Sequence, residues 1–361
     1  METYKYNPST RITKKHLPRF QRRLSYMPAN IFIQNDASNE TNWRAIILQG
    51  KNTASYKFAL AQALLTSQHN QSSVTLKDLA IPFALNVAKH LANNPKQTVG
   101  NPGIFLTSCD QFNSGVIEED ELQAITEKHG FKYVLDAFHN IAGGEVGARF
   151  FDNDATKKSI TLTDEFYELV KSKQLKNLEL ELESRWKLWE TAISLNISAN
   201  HLIVNNDSTG GRLFIRDYSK RRVDVTSPRD ALNGYQKGKC FYCNTDISVI
   251  QGVENSCDVD HFFPESLKFP DIDCVWNLLL ACKSCNRWDK SARIPNTSLL
   301  QKLNTRNEYF ITSHHPLSQT IINQTGSTPK SRSKFLQKYY NAAFEIIPVH
   351  FNPTQVDKDY L

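Results

Sequence analysis

The chain reads CFYC at 240–243, DVDHFFPES at 258–266, WNLLLACKSCN at 276–286 and RWDK at 287–290. Two Cys-x-x-Cys pairs, Cys240/Cys243 and Cys282/Cys285, enclose Asp260, His261 and Asn277, and Asn286 follows the last cysteine directly. Each Cys-x-x-Cys turn sets two sulfurs on one side of a tight bend. Two such turns brought together offer four thiolates in a tetrahedron, the geometry of a closed structural zinc site. With no open coordination position, that ion holds the fold and performs no chemistry. Cys109, Cys257 and Cys274 stand outside this spacing and read as reduced, partly buried, small apolar side chains.

A disulfide framework is the competing reading of the paired cysteines. The opening METYKYNPST lacks the apolar stretch of a signal peptide, and no run of about twenty apolar residues reads as a membrane span. The expectation is a cytoplasmic protein with reduced thiols, in which paired cysteines bind metal. A thioredoxin-like redox motif would use one Cys-x-x-Cys, not two.

Between the knuckles, Cys257–Asp260 alternates and can be a strand, and the apolar run Asn277–Ala281 can pair with it. Lys283–Lys290 has the length of two helical turns. The expectation is a β-hairpin followed by a helix, its ends clamped by the cysteines, with His261 at the end of the first strand and Asn286 on the helix facing it. Asp258 and Asp260 lie two apart and therefore share a strand face.

The pattern Asp260-His261-x-x-Pro264, then Asn277-Leu278, then Asn286-Arg287-x-x-Lys290 resembles the HNH (His-Me finger, ββα-metal) endonucleases, and the cysteine frame matches their zinc-stabilised branch. The resemblance covers residues 235–293, with Asn286 where the family name implies a second His. It implies that His261 takes a proton from water, which a side chain of ordinary pKa about 6.5 can do near neutrality. It also implies that Asp260 and Asn286 hold one divalent ion, magnesium or another, which stabilises the phosphate charge and the leaving 3′ oxygen. Asn277 then fixes the His261 ring, with Asp258 as a rival carboxylate or a support to Asp260. Arg287 and Lys290 are candidates for phosphate contact or local support. Arg221, Arg222 and Arg229, just before the module, are candidates for tracking the nucleic-acid backbone.

Outside this frame the chain is long enough for two domains, and 40% hydrophobic residues mark it as globular. The net charge of +6 is compatible with nucleic acid but not diagnostic of it. Residues 1–23 carry Lys5, Arg11, Lys14, Lys15, Arg19, Arg22 and Arg23 against Glu2, which reads as a basic arm or a solvated extension. Residues 40–205 read as mainly helical: Thr53–Leu65 with Thr53 as N-cap, Leu76–Leu91 with Pro82 inviting a break, Glu118–His129, and the amphipathic run Leu175–Ile197, whose Trp186 and Trp189 read as packing. A hairpin is expected at Arg149–Leu162 with Asp152–Asp154 as its turn, and a strand at Leu213–Arg216. Asn205–Gly211 reads as a loop, and Ser227-Pro228 starts a helix running to about Gln236. Helices are expected at Asn296–Phe310 and Ser331–Phe344, joined by a polar loop, with His314, His315 and His350 in loops; His201 precedes an apolar stretch and has no assigned role.

The fold class expected is thus α+β: a mainly helical domain at 1–226, then a zinc-stabilised ββα-metal nuclease domain at 227–361 with C-terminal helices. The function expected is a metal-dependent DNA endonuclease in anti-phage defence or restriction. The N-terminal domain would serve targeting, control or a protein partner, and a homodimer would supply a second cut. A non-catalytic zinc module and an RNA-cutting effector are the alternatives.

Overall fold

The computed structural model describes residues 32–33, 36–67, 72–141, 144–196, 202–217, 219–291, 293–313 and 315–353. The basic arm at 1–23, His201 and His314 lie outside the described residues.

The N-terminal half is a stack of helices with small antiparallel sheets. Helix α1 (Asn39–Gln49) starts at Ser38, whose hydroxyl accepts from the Thr41 amide. Helix α2 (Tyr56–Thr66) is apolar almost all round and is buried accordingly. It begins three residues later than the Thr53 cap anticipated. Strand β1 (Ser73–Thr75) leads into α3 (Leu76–Asn93), then α4 (Ile104–Asn113), α5 (Glu119–His129) and the single turn α6 (Val134–Ala137). Pro82 does not interrupt α3, because that helix packs against α2, α4 and α5, and tertiary burial outweighs one missing backbone bond.

Strands β2 (Asn140–Ile141) and β3 (Gly144–Glu145) form a short pair, and β4 (Phe151–Asp154) pairs with β5 (Ser159–Leu162), which also pairs with β1. The Asp152–Asp154 turn expected here lies inside β4 instead. Asp154 Oδ1 accepts from the amides of Thr156 and Lys157, and Lys158 takes a positive φ of 48°, so the reversal falls at 155–158. After α7 (Asp164–Lys171) comes the 20-residue α8 (Leu175–Ser194), with Trp186 and Trp189 in the core. Strands β6 (Asn205–Asp207), β7 (Arg212–Arg216) and β8 (Arg222–Thr226) follow as an antiparallel meander, so part of the expected loop at 205–211 is strand.

The second half starts with α9 (Pro228–Asn233), capped by Ser227, and one 3₁₀ turn at Gly234–Gln236. Strand β9 (Cys257–His261) pairs antiparallel with β10 (Leu278–Cys282), placing Leu278 opposite His261 and Cys282 opposite Cys257. A wide π-helical turn at Cys285–Asp289 closes this hairpin-and-helix unit. Strand β11 (Ile294–Pro295), α10 (Thr297–Thr312), α11 (Ser318–Thr325), α12 (Pro329–Ile346) and β12 (His350–Phe351) complete the order, with β12 parallel to β11. Helix α11 occupies what read as a polar loop. His315 is fully buried at its start, where Nδ1 accepts from the Leu317 amide. His350 lies in β12 rather than a loop. The architecture is the expected α+β, helical first and hairpin-based second.

Helix α8 joins the halves, packing on α1, α2, β8 and α9. Glu181 receives a two-pronged ion pair from buried Arg44 of α1, both contacts at 2.8 Å, and also accepts from Asn233 of α9 at 2.6 Å. One turn earlier, Asn177 donates to the Ile247 carbonyl and accepts from the Val249 amide. No helix among the described residues is long and apolar enough to cross a membrane.

Candidate active site

The four cysteine sulfurs lie within 4.8 Å of one another. Sulfurs about 2.3 Å from a central zinc stand about 3.8 Å apart along a tetrahedron edge. The Cys243–Cys282 separation is 3.7 Å, so the set fits zinc. The Cys282 amide donates to Cys240 Sγ at 3.3 Å and the Cys285 amide to Cys282 Sγ at 3.5 Å, the backbone support expected around thiolates. Hydrogen bonds among the thiols drive Cys243 and Cys282 down in pKa and Cys240 and Cys285 up. Lys302 of α10 sits over Phe241 beside this cluster, and burial pushes its ammonium down to about 8.

The cysteines fix the hairpin at one end, and buried side chains fix the rest of it. Gln236 bonds both the amide and the carbonyl of Leu280 at 2.8 Å, tying the first knuckle to β10. Fully buried Arg306 of α10 donates to the carbonyls of Leu278 and Trp276, setting the start of β10. Between these two carbonyl contacts sits Asn277, also fully buried. Its Oδ1 accepts from the Phe263 amide at 2.9 Å, and its Nδ2 donates to the carbonyls of Phe263 and Ile272. The Phe262 amide donates to the Asn277 carbonyl at 2.8 Å. Asn277 therefore pins both ends of the loop from 262 to 273, and acts on backbone rather than on the histidine ring.

His261, just before that loop, and Asp273, its last residue, meet across it, Nε2 to Oδ1 at 2.8 Å. A carboxylate only accepts, so Nε2 carries the hydrogen and Nδ1 keeps the lone pair of the neutral ring. Asp273 escaped the sequence reading because a loop carboxylate in FPDIDC has no periodicity or spacing that ties it to a histidine twelve residues earlier.

The two carboxylates of β9 share a face but have different surroundings. Asp260 is buried, and Lys290 Nζ lies 2.8 Å from each of its oxygens, while the Tyr242 hydroxyl donates to Oδ2 at 2.7 Å. Lys290 also donates to the His261 carbonyl. Burial drives the Lys290 ammonium below its usual value in spite of Asp260. The backbone bond from the Lys290 amide to the Cys285 carbonyl, at 3.0 Å, is the wide-turn contact that carries this lysine back under the hairpin. Asp258, nearer the surface, accepts from Asn286 Nδ2 at 3.2 Å and from both prongs of Arg287, at 2.8 and 2.9 Å. Those hydrogen bonds, Arg287 first, hold its carboxyl below the usual range.

In hydrogen bonding, Asn286 meets Asp258, whereas Asp260, expected as its metal-binding companion, meets Lys290. Hard oxygen donors suited to a divalent ion stand side by side at Asp258 and Asn286, where exposure permits access. Of the basic candidates, Lys290 is an internal counter-ion and Arg287 an exposed one. Arg229 is half-buried with Nε on the Cys257 carbonyl, Arg221 pairs with Asp217, and Arg222 pairs with Asp207 and Asp224.

Residues 240–296 match the model of a protein family described as HNH endonuclease. The match covers the cysteine frame and everything between its knuckles, so the resemblance read from the residues and the family match fall on the same segment. No curated protein and no solved structure matches the chain.

Proposed function

We propose that this chain is a metal-dependent endonuclease that hydrolyses phosphodiester bonds of DNA, with His261 as the general base. The family match over 240–296 supports nuclease chemistry in general. The single observation that carries the finer reading is the His261–Asp273 contact at the open end of a cysteine-clamped hairpin. Asp273 selects the tautomer in which Nδ1 accepts a proton from water, and it steadies the imidazolium that forms. Asn277 holds the backbone on either side of this dyad.

Asp258 and Asn286 would hold the divalent ion, magnesium by the hardness of the donors. When bound, the ion supplies charge stabilisation to the phosphate and the leaving oxygen. Arg287, exposed and paired with Asp258, is free to exchange that carboxylate for a substrate phosphate. Lys290 keeps Asp260 neutralised beneath the site. The setting we favour is anti-phage defence or restriction, with the N-terminal half serving target choice, control or a protein partner and a homodimer serving double-strand cutting.

The test is incubation of the purified protein with supercoiled plasmid, single-stranded DNA and RNA, with magnesium or with EDTA, beside His261→Ala. We expect magnesium-dependent relaxation of the plasmid, lowered about 10²- to 10⁴-fold in the variant. Equal cleavage by His261→Ala removes that residue as the base. Cleavage of RNA alone reassigns the substrate, and inertness toward all three leaves a non-catalytic zinc module.

A further inference from the structure

The nuclease reading leaves one conspicuous side chain unused. The chain has five tryptophans, and four of them, Trp43, Trp186, Trp189 and Trp276, are at most 1% exposed. The fifth, Trp288, is 75% exposed, the highest value of any large hydrophobic side chain among the described residues. An indole is large, apolar on both faces and carries one donor, so it is usually placed in water where something is to cover it.

Its position narrows what that something is. Trp288 lies within the wide turn that also carries Asn286 and Arg287, two residues and one residue before it. The turn is anchored on both sides, by buried Cys285 in the cysteine cluster and by buried Lys290 on Asp260. The indole is therefore held out from a fixed support. Its exposed neighbours Arg287 and Arg293 are cationic, against Asp289. An exposed indole with exposed arginines one residue before it and five after it, on the turn that carries Asn286, has the composition of a stacking platform for nucleic acid.

We propose that Trp288 is a nucleobase-contacting residue, its indole stacking on a base of the cleaved strand next to the scissile phosphate. The proposal rests on the nuclease reading and deepens it. Stacking needs a base face that is free, so the preferred DNA has that base unpaired, mismatched or at an easily unstacked pyrimidine–purine step. Trp288 thereby selects substrate by deformability rather than by base edge.

The buried state of the other four tryptophans makes this readable by light. The full-length, zinc-loaded His261→Ala protein, in which cleavage is lowered about 10²- to 10⁴-fold, is titrated with a labelled oligonucleotide while label anisotropy and intrinsic tryptophan emission are followed together. We expect emission to be quenched and acrylamide access lost in step with binding, with neither change in a variant that also carries Trp288→Phe. In the parent background, Trp288→Ala weakens binding about tenfold, Trp288→Phe retains most of it, and the loss is larger on mismatched than on fully paired duplex. Anisotropy that reports binding while emission stays unchanged overturns the stacking role and leaves the nuclease reading standing. Equal affinity of Trp288→Ala and parent for both duplexes does the same. Absence of binding by anisotropy together with absence of plasmid cleavage overturns both.

Discussion

Asp258 and Asp260 differ by one pleat and by everything around them. Asp260 faces a buried ammonium, so Asp260→Asn leaves the Lys290 charge without its partner and should cost about 3–5 kcal/mol of stability, read as a lower denaturant midpoint. Removing both charges, as Asp260→Leu with Lys290→Met, should recover much of that loss. Asp258→Asn removes only a partly exposed carboxylate. It should leave the unfolding midpoint within about 1 kcal/mol of the parent while lowering cleavage at least 100-fold and raising the magnesium needed. If Asp260→Asn instead folds normally and loses metal dependence, the two carboxylates exchange roles. The sequence places both on one face and puts an Asp directly before the histidine, but it cannot choose between them. The choice is made by where Lys290 lands, and that depends on a π-helical turn that no propensity or periodicity encodes. Asp273 was invisible for a similar reason: its partner is fixed by Asn277 through backbone bonds.

At the level of elements, the hairpin was legible because its strands alternate or run apolar and its ends carry cysteines at fixed spacing. Helix α11 was not, because SQTIINQT offers only two apolar residues and no stripe; it is held instead by Ile321 and by Thr320, which bonds Leu202 and Val204. Cys282→Ser should release zinc, measured by metal content, and lower the melting temperature by several degrees; a stable zinc-free variant would refute the structural role. Helices α3 and α8 are locked by His90, which lies between Glu190 at 2.9 Å and Glu183 at 3.2 Å and stacks on Trp186. Burial pulls this imidazole down, but the bonds and charges of the two glutamates outweigh it and raise it above its ordinary value. Burial likewise raises Glu183, and His90 and Lys187 outweigh it, bringing the carboxyl down to about 2. A raised His contributes stability in full below its unfolded value of about 6.5 and loses it as pH rises through the folded value. The lowered Glu183 contributes above its ordinary 4.5 and loses that as pH falls through about 2. The lock is complete between about pH 4.5 and 6.5. His90→Gln should therefore destabilise by about 2 kcal/mol at pH 6 and by clearly less at pH 9, measured by urea unfolding.

Across the whole molecule, buried apolar side chains of both halves form one cluster, and α8 supplies polar bonds to each side. Glu181→Ala removes the two-pronged ion-pair partner of buried Arg44 and an acceptor of Asn233, so it should cost about 3–5 kcal/mol. Tryptophan emission and zinc retention should fall in one shared transition rather than in two, followed on the full chain during denaturation. The sequence marked α8 as the longest amphipathic run but not what its buried polar residues hold, since Asn177, Glu181 and Arg44 read as solvated on any helical wheel. From Asn177, which grips the loop at 247–249, to Glu190, which grips α3, the helix rises about 20 Å. A rigid rod bolted at both ends has no slack to bend. Restraint imposed on the cutting unit from the N-terminal side would then act as a latch, in which bolts such as Asn177 or Glu181 are either seated or drawn, and not as a hinge that swings.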